Sequence, residues 1–152
     1  MTTAGSHSTF LDISVLVHAS MRESPLHRAA LHAIQGLRND MAELWTSRQV
    51  LREYLVLLTD PQVVGEQVHI PTIIHQVQAI QQRLHIAEDG PEVTRRLFAL
   101  LKQVQIHGKE VYHANTVATM QVYGIRQIVT SKPIEFRLFA SFIIVVPLMP
   151  NE

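Results

Sequence analysis

The segment Phe10-Leu11-Asp12-Ile13-Ser14-Val15-Leu16-Val17 sets one carboxylate inside a run that is otherwise apolar and β-branched. The apolar residues barely alternate, so residues 10–17 read as a strand buried on both faces. A doubly buried strand has to be covered from two sides, which points to helices packed above and below a sheet. Asp12 stands out in that setting, because a buried charge is costly unless a cation or several donors compensate it. A second acid, Glu53, sits among apolar neighbours in the helical stretch Val50-Leu51-Arg52-Glu53-Tyr54-Leu55. Two acids on core-facing elements, far apart in sequence, suggest a site assembled by the fold. A divalent cation bound through oxygen is the chemistry they suit.

The rest of the chain alternates helix and strand. Ser24-Pro25 opens a helix with Pro at its first position, carried by Leu26, Ala29, Ala30, Ala33, Ile34 and Leu37 at helical spacing and ended by Asn39-Asp40. Residues 42–46 make a short strand. Ser47 N-caps a helix over about 48–58, which Thr59-Asp60-Pro61 stops. Pro71 starts a helix over about 72–83 with the stripe Ile73, Ile74, Val77, Ile80 and Leu84, which reads as core. Residues 84–86 follow as a short strand. Asp89-Gly90-Pro91-Glu92 starts a helix over about 91–106, ended by His107-Gly108. A helix over about 113–122 closes at Gly124, and residues 125–130 and 142–146 are strands with a helical turn around 133–139 between them. This alternation predicts a single α/β domain over residues 10–152, with a mostly parallel sheet, behind a short flexible segment over residues 1–9. In such sheets sites gather at the carboxyl ends of strands, which selects Asp12, the helix start at Ser47, Glu53, the helix start near His113 and the loop from Thr130 to Glu135.

Composition narrows the chemistry. Lys and Arg number 13 and Asp and Glu number 13, so any nucleic-acid surface has to be a local patch. The absence of cysteine excludes disulfides, thiolate metal sites and cysteine catalysis, and fits a reducing compartment. No apolar run approaches the ~20 residues needed to span a bilayer, and the polar start does not read as a signal peptide; a soluble, cytoplasmic protein is expected. The nine histidines lack the close paired spacing of a zinc helix. There is no Gly-rich phosphate loop, nucleophile elbow or kinase signature, which argues against other α/β hydrolases and phosphotransferases.

Four motifs in order resemble the PIN domain family, in particular the VapC-type ribonucleases of toxin–antitoxin pairs. They are Leu11-Asp12-Ile13-Ser14-Val15-Leu16, then Ser47-Arg48-Gln49-Val50-Leu51-Arg52-Glu53. Next is His113-Ala114-Asn115-Thr116-Val117-Ala118-Thr119-Met120 with Tyr123-Gly124-Ile125, and last Thr130-Ser131-Lys132-Pro133-Ile134-Glu135-Phe136. The match spans about residues 10–147. The resemblance implies a three-layer fold with a central sheet of about five strands flanked by helices, and a Mg²⁺- or Mn²⁺-dependent endoribonuclease. It assigns Asp12 as a metal ligand, Glu53 as a ligand or an acid just behind it, Glu135 as a further catalytic acid, Ser14 and Asn115 as hydrogen-bonding supports, and Thr130 as part of the lining. It also implies a cognate antitoxin and a homodimer, for which apolar faces of the middle helices would serve.

Two positions depart from the family pattern. A third acid is replaced by His113, and an Asn or Asp by Lys132. An imidazole can still ligate but brings no negative charge, and it suits Zn²⁺ or Mn²⁺ better than Mg²⁺. Two like unit charges ~4 Å apart cost roughly 4 kcal/mol at an effective dielectric of about 20, and a divalent ion doubles that. Lys132 therefore either pairs with Asp12 or Glu53 in place of a cation, or points outward and grips substrate phosphate. With Arg48, Arg52 and Arg126 it forms a candidate basic rim for an RNA backbone. The alternative to an active nuclease is a PIN-fold module that has lost catalysis and binds RNA or protein.

Overall fold

The computed structural model describes residues 3–5, 7–65 and 67–150. Five parallel strands form one sheet in the order β3-β2-β1-β4-β5. They are β1 (Ser8–Leu11), β2 (Glu43–Ser47), β3 (His85–Ala87), β4 (Gln127–Thr130) and β5 (Ile144–Pro147). All four pairings are parallel, with Phe10 opposite Trp45 on one side and Ile128 on the other. The expected flanked sheet is thus present, and it is parallel throughout. From β1 the chain steps outward through β2 to β3, then returns to the other side of β1 for β4 and β5. The order reverses between β1 and β4, the place where open α/β sheets form their ligand crevice.

Six of the eight residues expected as a strand over 10–17 fold differently. The strand ends at Leu11; Asp12 is extended (φ −64°, ψ 156°) and the helix α1 (Ile13–Ser20) begins straight after it. A short apolar run cannot be assigned to strand or helix by periodicity alone, and here Val15 and Leu16 are buried as helical residues. Asp12 stands at the N-cap position of that helix, where aspartate is favoured, although its side chain makes no cap hydrogen bond. The strand also begins earlier than Phe10, at Ser8, and the Ala4 amide donates to the Tyr123 carbonyl (2.8 Å).

The remaining helices are α2 (His27–Asn39), α3 (Arg48–Leu58), the single turn α4 (Pro61–Val64), α5 (Ile70–Arg83), α6 (Pro91–Gln103) and α7 (Glu110–Tyr123), with a 3₁₀ segment over Pro133–Phe139. Ser47 caps α3 as expected, its hydroxyl accepting from the Val50 amide (3.1 Å). Pro25 does not open α2: the Ser24 carbonyl accepts from His27 in a turn, and the helix starts only afterwards. The last long helix begins three residues before the expected His113, because the turn at Gly108 (φ 54°) already feeds it. Of the α5 stripe only Ile73 is fully buried, while Ile74 is exposed.

Phe10, Leu11 and Ile128 are inaccessible at the sheet centre, sandwiched between helices. Residues 114–120 of α7 are buried without a break, so this helix is the interior layer on its face. The end of α7 aligns β4. Gly124 takes the left-handed conformation (φ 78°), and the Ile125 amide reaches back to Met120 (2.8 Å). A side chain there pays about 1–2 kcal/mol for left-handed backbone. Gly124→Ala is accordingly expected to lower the Tm by roughly 2–8 °C, measured by calorimetry.

Candidate active site

Asp12 occupies the first turn beyond β1, and its amide extends the ladder to Val129 (3.1 Å). The side chain is buried, yet it does not cap α1. Its Oδ2 accepts two hydroxyl hydrogen bonds instead, from Ser14 (2.8 Å) and from Thr130 at the end of β4 (2.8 Å). Each hydroxyl in turn accepts a backbone amide from the loop after β4: Ser131 N–H on Ser14 (3.0 Å) and Lys132 N–H on Thr130 (3.0 Å). With one proton and one acceptor contact used on each hydroxyl, Oδ2 is fixed from the start of α1 and the end of β4. Oδ1 receives no hydrogen bond from a described residue.

Glu53 lies in the second turn of α3. The two acid-bearing helices are tied below the site, where the Tyr54 and Ser20 hydroxyls meet at 2.8 Å. Gln49 Nε2 donates to Glu53 Oε1 (3.2 Å), and Asn115 Nδ2 on α7 donates to Gln49 Oε1. Asn115 thus acts on the acid through Gln49. Gln49 is a site residue that the motifs alone do not assign; its spacing of four residues from Glu53 on one helix is the signal in the sequence. Burial pushes the Glu53 carboxyl above its ordinary range, the Gln49 hydrogen bond opposes that, the Asp12 charge adds to it and His113 counters it. Asp12, Glu53 and His113 therefore share one electrostatic environment, although they come from the β1–α1 junction, α3 and α7. Removing the charge relieves both the burial and the repulsion. Glu53→Gln is expected to raise the Tm of the metal-free protein by a few degrees in a thermal melt, with the Gln49 contact kept.

Glu135, in the 3₁₀ segment, gathers the two departures from the family pattern. Its Oε2 is 3.2 Å from His113 Nε2 and its Oε1 is 3.9 Å from Lys132 Nζ. His113 sits one turn inside α7 with its ring edge-on to the buried Phe136 (centroids 5.0 Å apart). Of the two roles left open for Lys132, pairing with Asp12 or Glu53 is not observed: its side chain is 62% exposed and its partner is Glu135. Lys132 also lies near His18 on α1, whose imidazole is shifted down, first by burial and then by the lysine charge.

The expected basic rim is only partly assembled. Arg48 grips Glu88 after β3 through two nitrogens (2.5 and 3.2 Å), and Arg52 adds its charge to the same glutamate. Arg126 precedes β4 and so stands at the opposite, amino end of the sheet, where its carbonyl accepts from Ile144.

The donor chemistry can be set against a divalent cation. Among the described residues no group of three or more His, Asp or Glu side chains is placed to hold a metal ion. Mg²⁺, however, is commonly bound by one or two carboxylates, with water and substrate phosphate completing its shell. Asp12 and Glu53 fit that pattern, and the raised Glu53 carboxyl marks a negative charge that a cation there would relieve.

No protein-family model matches the chain. In sequence it is 28% identical over 137 residues to ribonuclease VapC48 of Mycobacterium tuberculosis, covering 87% of this chain and 92% of that protein. In fold it matches Mycobacterium tuberculosis VapC20, a sarcin–ricin loop cleaving toxin, with a TM-score of 0.64 at 15% identity over 90% of this chain and 96% of that one. It also matches VapBC2 of Rickettsia felis, solved bound to a DNA fragment from its promoter, with a TM-score of 0.68 at 14% identity over 93% and 99%. The resemblance carried by the four motifs is therefore met by likeness in overall sequence and in fold.

Proposed function

We propose that this chain, VapC-like in sequence and PIN-type in fold, is a toxin-like endoribonuclease that hydrolyses RNA phosphodiester bonds with a divalent cation, Mg²⁺ or Mn²⁺. The observation that carries the reading is that Asp12 and Glu53, from elements following β1 and β2, lie close enough for their charges to act on one another, each held by hydroxyl or amide side chains. A cation held by these two carboxylates would polarise the scissile phosphate and make water a better nucleophile. Ser14 and Thr130 fix the Asp12 carboxylate, and Asn115 and Gln49 fix that of Glu53, so neither acid has to be reoriented when substrate arrives. Lys132, whose side chain is largely exposed, would meet the RNA backbone.

The reading extends to partners. A groove of about 970 Å³ between α1, α2 and α5 is lined by apolar side chains that include Ile34 and Ile80 and by Arg22, Arg28, Arg38 and Arg83. An amphipathic helix flanked by acidic residues suits it, as a cognate antitoxin would supply. We further expect residues 10–152 to act as one domain, in the cytoplasm and as a homodimer. Among the described residues no helix is long and apolar enough to cross a membrane.

Purified protein incubated with a structured RNA is expected to cut it in Mn²⁺ or Mg²⁺ and to leave it intact in EDTA. Intact RNA at every divalent concentration would instead favour an inactive RNA- or protein-binding module, the alternative supported by the His113–Glu135–Lys132 contacts.

A further inference from the structure

We infer that α6 and α7, together with β2 and β3, form a second binding site, which takes a single ribonucleotide. It lies by the closing residues of α7, whereas His113 and Asn115 of the acid site stand near that helix's start. It works without Asp12 and Glu53.

Two cavities of about 440 and 410 Å³ adjoin there, both bounded by Glu92 on α6 and Val122 on α7. Each has the volume of a small-molecule site, roughly 300–1,000 Å³. The first is aromatic. Trp45 and Tyr123 are buried with their rings 5.4 Å apart, and the exposed His85 stacks on Trp45 at 4.9 Å. The Trp45 indole N–H is already spent on Glu43 (2.6 Å), which leaves the ring to act by contact. An aromatic surface thus runs from the core to solvent, a seat for a flat base.

The second cavity is polar. Glu92, Arg95, Arg96 and Ala99 recur at helical spacing on one face of α6, opposite Gln121 of α7. Arg95 meets Glu92 only at 3.5 Å, and Arg96 has no ion pair among the described residues. Gln121 Oε1 is buried with no hydrogen-bond partner among them. A buried acceptor left in that state costs stability, so it marks a place for a ligand's N–H or O–H. An ionised phosphate cannot supply that proton, whereas a ribose hydroxyl can. With the base against Trp45 and the phosphate on the two guanidiniums, the sugar crosses the ridge of Glu92 and Val122 and its 2′-hydroxyl donates to Gln121 Oε1. Deoxyribose lacks that donor. A free nucleotide and one unit of an RNA strand present the same chemistry.

Trp45 is the only tryptophan of the chain, so its fluorescence reads occupancy. In EDTA, adenosine 5′-monophosphate is expected to quench it saturably, and the deoxy analogue to bind about fivefold more weakly, the worth of roughly one hydrogen bond. The double variant Arg95→Met, Arg96→Met is expected to bind at least about tenfold more weakly with unchanged circular dichroism. Gln121→Leu should erase the ribose preference without lowering the Tm, and Asp12→Asn should bind as the parent does. An oligoadenylate separates the sources: affinity equal to that of the mononucleotide identifies a free ligand, and much tighter binding identifies a strand. Absence of saturable quenching by either probe, equal affinity for the deoxy analogue, or undiminished binding by the double variant would each overturn the inference. So would loss of binding in Asp12→Asn, or inorganic phosphate competing as well as the nucleotide, which would mean an adventitious ion only. Failure of every probe to bind, with Mn²⁺-dependent cleavage intact, would overturn this inference and leave the ribonuclease reading standing.

Discussion

Asp12→Asn is expected to lower RNA cleavage about a thousandfold while the protein stays folded. A cation's stabilisation of developing charge is worth several kcal/mol, and each 1.36 kcal/mol is a factor of ten in rate. The amide is nearly isosteric, and its oxygen can still accept from Ser14 and Thr130, which now serve Oδ2 at 2.8 Å each. The fold should therefore survive, and relief of repulsion on Glu53 works in its favour. Initial cleavage rates at saturating Mn²⁺, taken beside a thermal melt of the same preparation, check both halves. A variant within tenfold of the parent would place the reacting centre away from Asp12.

Phe136→Ala is expected to give the largest loss of stability at the site. Phe136 is fully buried, and truncating a core Phe costs about 3–5 kcal/mol. For a chain of this size that is roughly 10 °C of Tm or more. The effect reaches the site because the ring supports His113 from the side and anchors the 3₁₀ segment that carries Glu135. Glu135 and its partner His113 both lose support, so residual activity should fall more steeply with temperature than in the parent. A calorimetric Tm within two or three degrees of the parent would mean that the segment is held by something other than this ring.

Much of the architecture is legible because its punctuation is local. Ser47, Asp60-Pro61, Gly90-Pro91 and Gly124 each end or begin an element through backbone chemistry that the residue itself dictates, and each does so in the structure. The run over 10–17 misleads because its β-branched residues suit a strand, while the fold places them in a buried helix whose start is marked by one aspartate. The two acids at the site could be singled out from sequence, since charge among apolar neighbours is visible there. Their supports Ser14 and Asn115 entered only through the family resemblance, and the contacts that place Thr130 and Asn115 are not legible from spacing. The hydrogen bond from Thr130 to Asp12 spans 118 positions and that from Asn115 to Gln49 spans 66, and no spacing rule reaches so far. The Lys132–Glu135 contact, three residues apart, was within reach, but the His113 contact to the same glutamate depends on how α7 lies against the segment after β4.

The strand at one margin of the sheet has a consequence for the protein at high concentration. β5 is four residues long, exposes Ile144 and ends in Pro147. An unpaired margin of this kind invites a neighbour's backbone to extend it, and an imino acid offers no amide proton at that position. Any intruding strand would run out of partners within a few residues, a safeguard against molecules zipping together edge by edge.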